Sequence, residues 1–208
     1  MKILLTGFDP FGGEKINPSW EAIKNANINI IGVDIFKLEL PTEFIRSSLE
    51  LKKMIKEIQP DAVLLFGQAG GRNNITIEKV AINYRNSLSS DNANFTPKNE
   101  AISSEGADGY FSTLPIDLLL QRLKEANIPS SVSYSAGTFV CNSLFYSLME
   151  LINNSGSEIK GGFIHVPYIS EQVVDKNLPS MSLDMLSSTV EVLVKTMVED
   201  YRNNIEKN

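Results

Sequence analysis

The chain is short of the side chains on which enzyme chemistry is usually built: its 208 residues include one cysteine, one histidine and one tryptophan. A single cysteine excludes an intrachain disulfide and any two-cysteine metal knuckle, and it suits a reducing compartment. Basic runs are missing and the formal charge is −6, which disfavours nucleic acid and anionic membrane as partners. No apolar run approaches membrane-spanning length, and Met1-Lys2-Ile3-Leu4-Leu5 turns into Thr6-Gly7 too soon for a signal peptide. The expectation is a cytoplasmic protein. Internal repeats and linkers are also lacking, so residues 1–208 read as one domain, with the 42% hydrophobic and 21% charged content of a soluble globular protein.

What is present alternates. Lys2 to Thr6 is an apolar first strand, and Ile28 to Leu40 carries a second, interrupted near Gly32. Asp61 to Phe66 and Ile75 to Asn83 are further strands, Val132 to Ser135 closes a short one, and Gly161 to Pro167 forms the last. Between them, Asn17-Pro18 caps a helix running to about Asn25. Leu51, Met54, Ile55 and Ile58 mark a long amphipathic helix that ends before Pro60. Pro115 opens another with Ile116, Leu119, Leu120 and Leu123 on one stripe, and Leu186 to Tyr201 line the last. This order predicts a three-layer α/β/α sandwich with a mixed, largely parallel twisted sheet. Residues 84–108 are polar and aperiodic, as in a functional lid or a locally disordered loop.

Cys141 is the residue around which the chemistry turns. A strand, the tight turn Ala136-Gly137 and a helix containing Leu144, Phe145, Leu148, Leu151 and Ile152 place it near a helix start. Unpaired N–H groups and the positive end of the helix dipole there favour a thiolate, and the Cys141 N–H is an oxyanion candidate. A lone cysteine is more often a small buried apolar residue than a nucleophile. His165 ends an apolar strand and is either a core residue or the partner of that thiol. Glu78 shares a strand face with Thr76, Val80 and Ile82, so it is solvated there or paired, with Arg, Lys or an imidazolium.

The loops beyond the strands suggest a pocket. Phe8 and Phe11, among Gly7, Pro10, Gly12 and Gly13, either cover the sheet end or wall a site for a small apolar or planar group. Gly67-Gln68-Ala69-Gly70-Gly71-Arg72 lacks both the P-loop and the dinucleotide spacing.

Taken together, these stretches resemble the type I pyroglutamyl peptidases, or pyrrolidone carboxyl peptidases. Gly67-x-x-Gly70 with Ile75-Thr76-x-Glu78-Lys79-Val80-Ala81-x-Asn83 is similar to that family's glutamate motif. Val132 to Asn142 resembles its cysteine motif, Gly162 to Ile169 its histidine segment, and Thr6 to Gly13 its N-terminal loop. The resemblance implies a phosphorylase/hydrolase-like fold and a cytosolic homotetrameric cysteine peptidase without metal or cofactor, acting on N-terminal pyroglutamyl peptides. It implies Cys141 as nucleophile, His165 as acid/base and Glu78 as orienter. A neutral lactam ring calls for apolar walls, for which Phe8, Phe11, Phe139 and Val140 are candidates, and for amide partners such as Gln68, Asn17 and Thr42.

One position departs from the pattern. Where the family carries an arginine thought to assist the oxyanion, the aligned residue is Leu88, so either Arg85 substitutes from the same loop or that arginine is dispensable. Two other readings follow: a family member that binds without turnover, prompted by Leu88, and a phosphate-dependent, nucleoside phosphorylase-like transferase on the same fold.

Overall fold

The computed structural model describes residues 1–205. Its strands are β1 (Lys2–Phe8), β2 (Asp34–Leu40), β3 (Ala62–Gln68), β4 (Ile75–Glu78), β5 (Val80–Ile82), β6 (Gly109–Phe111), β7 (Ser130–Ser133), β8 (Lys160–Val166), β9 (Tyr168–Ile169) and β10 (Ser180–Met181). Its helices are α1 (Pro18–Asn25), α2 (Arg46–Ile58), α3 (Ile116–Glu125), α4 (Val140–Ser155) and α5 (Leu183–Ile205). Among the described residues no helix is long and apolar enough to cross a membrane.

The main sheet has the order β2-β1-β3-β8-β4-β7. Strands β2, β1, β3 and β8 are mutually parallel, whereas β4 and β7 are parallel to each other and join β8 antiparallel. The unbroken apolar runs of β1, β3 and β8 are buried on both faces because helices cover both. Ile3, Leu5, Leu64, Phe66, Ile164 and Val166 join the core under α1, α3 and α5. Alternate residues Leu4, Val63, Leu65 and Phe163 face the second core under α2 and α4. The expected three-layer α/β/α sandwich with a mixed, mostly parallel sheet is what forms.

Local chemistry sets the helix ends. Asn17 Oδ1 accepts from the Ser19 N–H at 3.1 Å, with Pro18 at the first helical position of α1. Helix α2 stops as Gln59 takes a left-handed conformation (φ 50°) before Pro60, and α4 stops at Gly156 (φ 61°).

Three expectations need correction. The second strand is confined to Asp34–Leu40, because Gly32 (φ +77°) and the Val33 N–H to Ile30 carbonyl bond make residues 30–33 a turn. The strand expected over Ile75 to Asn83 breaks at Lys79, whose N–H is held by the Ser133 carbonyl at 2.7 Å. Beyond it β5 pairs with β6 in a separate sheet, so Thr76 and Glu78 share a buried face while Ile82 is partly exposed. The short strand before Cys141 is Ser130–Ser133, shifted two residues back from Val132 to Ser135.

Residues 84–108 are tied down by specific bonds. Arg85 and Glu100 exchange backbone hydrogen bonds at 2.8 and 3.1 Å. Asn83 Oδ1 accepts from the Ile102 and Ser103 N–H groups, and Asp91 accepts from the N–H groups of Phe44, Ala93 and Phe95. Asn86 N–H donates to the Thr138 carbonyl while Thr138 Oγ1 donates to that of Asn86, which fastens this loop to the turn before Cys141.

Candidate active site

Register brings His165 and Glu78 together, and α4 sets the Cys141 sulfur beside Gly67, the residue opposite His165. Gly67 on β3 lies opposite His165 on β8, and His165 lies opposite Thr76 on β4. Side chains opposite one another share a face, so Glu78, two residues beyond Thr76, is on the His165 side of the sheet. That is the face covered by α4, whose first turn carries Cys141. A Cβ added to Gly67 would fall 2.9 Å from Cys141 Sγ and 2.7 Å from the Phe163 ring, so only glycine leaves room for the sulfur over the sheet end. The Phe163 and His165 ring centroids are 4.7 Å apart.

Helix α4 contributes its start. Phe139 is the N-cap and the first intrahelical bond runs from the Ser143 N–H to the Phe139 carbonyl, so the amides of Val140, Cys141 and Asn142 precede the helical ladder. The fully buried Asn142 side chain accepts from the Ile82 N–H at 3.1 Å and donates to the carbonyls of Ile82 and Tyr84 at 2.9 and 3.0 Å. It therefore pins α4 to the strand that follows Glu78.

Behind the imidazole, His165 Nδ1 lies 2.7 Å from Glu78 Oε1, both groups being buried. With the carboxylate as acceptor, Nδ1 carries the proton and Nε2 is left to accept. Burial pushes Glu78 up, but the hydrogen bond and charge of His165, with Ser133 and Arg72, outweigh it and hold the carboxyl below the usual range. Burial pulls His165 below its ordinary value despite Glu78. Cys141 is pushed up to about 12 by burial and then by the charge of Glu78, against smaller opposing effects of Arg72 and its own backbone. The helix start was expected to make the thiolate easier to form; desolvation outweighs it. The resting pair is therefore neutral thiol and neutral imidazole, and ionising the sulfur requires proton transfer to a base.

The aromatic candidates divide. Phe8 is buried against Phe163 (centroids 6.4 Å) and Val140 is fully buried, so both belong to the core behind the site. Phe11 and Phe139 are half-buried, stack 6.1 Å apart, and Phe139 meets Phe44 edge-on at 5.1 Å. Asn17, besides capping α1, donates to the Asp9 carbonyl at 2.9 Å. Thr42 binds Asp9 twice, through its N–H to Oδ1 and its hydroxyl to the carbonyl. These two side chains hold the Phe8 to Phe11 loop in place. Gln68 Oε1 accepts from Gln172 Nε2 at 3.0 Å. Arg85 pairs with Glu100 (2.9 Å) and lies 5.4 Å over the Phe95 ring, whereas Leu88 is fully exposed.

Arg72 is the member of the cluster that its place at the end of a glycine-rich loop does not single out in the sequence. It donates to Glu78 Oε1 at 2.7 Å, to Thr76 Oγ1, and to the Ser135 carbonyl at 3.1 Å. A buried carboxylate demands such a partner, and Arg72 is the sole basic residue between Asp61 and Glu78.

A sulfur at a helix start, an imidazole in a fixed tautomer and a carboxylate behind it are what thiol-dependent acyl transfer to water requires, which defines the class as a cysteine-type hydrolase. The family model described as "Pyroglutamyl peptidase" matches residues 1–200. The pyrrolidone-carboxylate peptidase of Thermococcus onnurineus is 48% identical over 199 residues, covering 96% of this chain and 100% of that protein. That of Brachyspira hyodysenteriae is 48% identical over 197 residues, covering 94% and 98%. The crystal structure of pyroglutamyl peptidase I from Bacillus amyloliquefaciens superposes with a TM-score of 0.91 at 46% identity, covering 94% of this chain and 93% of that one. A mutant pyrrolidone carboxyl peptidase from Pyrococcus furiosus gives 0.92 at 38% identity, covering 96% and 99%. The chain belongs to the pyroglutamyl peptidase family.

Proposed function

We propose that this protein is a pyroglutamyl-peptidase I, a cysteine peptidase that hydrolyses the bond after an N-terminal pyroglutamyl residue, with Cys141 as nucleophile, His165 as acid/base and Glu78 as orienter. The observation that carries the reading is the buried 2.7 Å contact between His165 Nδ1 and Glu78 Oε1, on the sheet face where the Cys141 sulfur sits over Gly67.

As the sulfur attacks the pyroglutamyl carbonyl, its proton passes to His165 Nε2, and Glu78 stabilises the imidazolium formed. The carbonyl oxygen gains negative charge, which the amides at the start of α4 stabilise by donating hydrogen bonds to it. His165 returns the proton to the departing amine, leaving a thioester on Cys141. Water then attacks the thioester, His165 takes its proton, and pyroglutamate leaves as the thiol is restored. Because both resting groups are neutral, the thiolate exists mainly along this reaction path.

A lactam ring has no α-amino charge, so an apolar enclosure suits it. Phe11 and Phe139 supply walls, Phe8 and Val140 a floor, and Gln68, whose Oε1 accepts from Gln172, is the amide candidate through its NH₂, with Asn17 and Thr42 shaping the rim through Asp9. The same proposal has N-terminally pyroglutamylated peptides as substrates and the enzyme acting in the cytoplasm as a homotetramer, without metal or cofactor and without nucleic-acid or membrane partners. The acidic charge and single cysteine support that setting. Family membership favours the peptidase over a phosphorylase-like transferase.

The test is hydrolysis of a pyroglutamyl fluorogenic amide under reducing conditions. The parent should turn it over and Cys141→Ser should not. A parent protein that leaves the amide intact would overturn the assignment and favour a family member that binds without turnover.

A further inference from the structure

The guanidinium of Arg72 reaches three segments at once: the carboxylate of Glu78 and the hydroxyl of Thr76 on β4, and the Ser135 carbonyl in the turn leading to Cys141. A planar fork with several fixed donors can do this, whereas an ammonium on a flexible stem presents all its donors from one atom. Its side chain is about one-quarter exposed (28%), opening on a cleft of about 640 Å³ lined by Asn73, Asn74, Tyr134 and Pro179. Its hydrogen bonds reach Glu78, Thr76 and Ser135, so its contact with the imidazole–carboxylate pair is made through Glu78, while its charge also acts on His165 and Cys141.

We infer that Arg72 is a positioning residue of the peptidase site, which holds Glu78 against His165 and sets the proton affinity of the imidazole–carboxylate pair. This rests on the proposed roles of Cys141, His165 and Glu78. Glu78 Oε1 accepts from both Arg72 and His165 at 2.7 Å, so the oxygen that orients the imidazole is itself fixed from the other side. The charged or titratable groups acting on the pair are Arg72 from the β3–β4 loop and Cys141 from α4, with the Ser133 hydroxyl from β7. A cation beside this pair opposes uptake of a proton by either member and favours the thiolate over the thiol. Removing it makes the pair easier to protonate and the thiol harder to ionise.

The chain has one histidine, so its imidazole ring protons can be followed by NMR in the intact protein without reference to turnover. In Arg72→Met the His165 titration should move to higher pH than in the parent, and the acid limb of kcat/KM should move with it. Turnover at neutral pH should fall about tenfold to a hundredfold, the equivalent of one lost charge-assisted hydrogen bond, with KM little changed. Arg72→Lys keeps the charge without the fork, so it should return the titration close to that of the parent while recovering only part of kcat.

A folded Arg72→Met protein whose His165 titration and acid limb match the parent's would overturn the inference, even with turnover reduced, because a merely structural tie predicts that result. Should Arg72→Met fail to fold, Arg72→Gln takes its place, with the same upward shift expected. If the parent lacks peptidase activity while His165 still shifts on losing Arg72, the electrostatic coupling stands and the functional reading fails.

Discussion

Replacing Glu78 by Gln tests the site most sharply, because two consequences should run in opposite directions. The carboxylate accepts from His165 Nδ1 at 2.7 Å in a buried setting, and a hydrogen bond to a charged group contributes about 1.5–3 kcal/mol. When the imidazole is protonated the pair also attracts; at an effective dielectric of ~20 and ~4 Å separation the upper scale is ~4 kcal/mol, part of it already counted in the hydrogen bond. A combined loss of about 3–5 kcal/mol at the transition state corresponds to a fall in kcat/KM of about 10²–10⁴-fold. An amide can also turn its NH₂ toward Nδ1 and impose the wrong tautomer, which works in the same direction. Glu78 is fully buried behind His165, so KM should change little. The thiol should respond the other way. Burial is the main reason Cys141 is pushed up, and the charge of Glu78 is the next, so the Gln variant should ionise its thiol at lower pH than the parent. With one cysteine and six tyrosines in the chain, the thiolate is read as the ultraviolet absorbance lost when the same titration is repeated with Cys141→Ala added to each protein, which cancels the tyrosinate signal. Fluorogenic turnover and thiolate titration on the same two proteins complete the test. Turnover within threefold of the parent, or a thiol that ionises at higher pH, would refute the reasoning.

Gly67→Ala should abolish most activity in a folded protein, since the new methyl would collide with the sulfur and the Phe163 ring; kcat/KM near the parent's would mean that Cys141 does not react from this position. Arg85→Ala should cost less than tenfold in kcat/KM and lower the Tm modestly, because its guanidinium is engaged with Glu100 and Phe95; a loss of about a hundredfold would instead make it an oxyanion donor. His165 is held below its ordinary value of 6.5, so the acid limb of kcat/KM should lie below that pH, with activity lost as pH falls through the lowered value; a limb above 6.5 would contradict a buried neutral imidazole. The same group stabilises the fold above its unfolded value and withdraws that stability as pH falls. The raised thiol does the reverse: its contribution is complete below 9.0 and is lost as pH rises toward about 12. Melting curves across that range should therefore show the parent losing stability faster than Cys141→Ala.

The sequence by itself determined the layers of this protein and singled out the residues proposed to react. Unbroken apolar runs at Lys2–Phe8 and Ala62–Gln68 leave no choice but a doubly covered sheet, and Asn17-Pro18 and Gly156 mark helix ends through chemistry that is local to a few residues. Singleton cysteine and histidine residues, each at a strand or helix end, stood out against the rest of the chain. Partnerships across the sheet were decided only by the tertiary structure. The break at Lys79 depends on the Ser133 carbonyl, a partner more than fifty residues away in the chain, so a period-two pattern could not reveal it. The alternation leaves Glu78 either solvated or paired, and Arg72 becomes its cation only when its loop folds back over β4 and the turn at Ser135. The acidity of Cys141 was likewise beyond local reading: the helix start acts over one turn, whereas burial and the charge of Glu78 come from elements brought together by packing, and in the folded protein these are the larger effects.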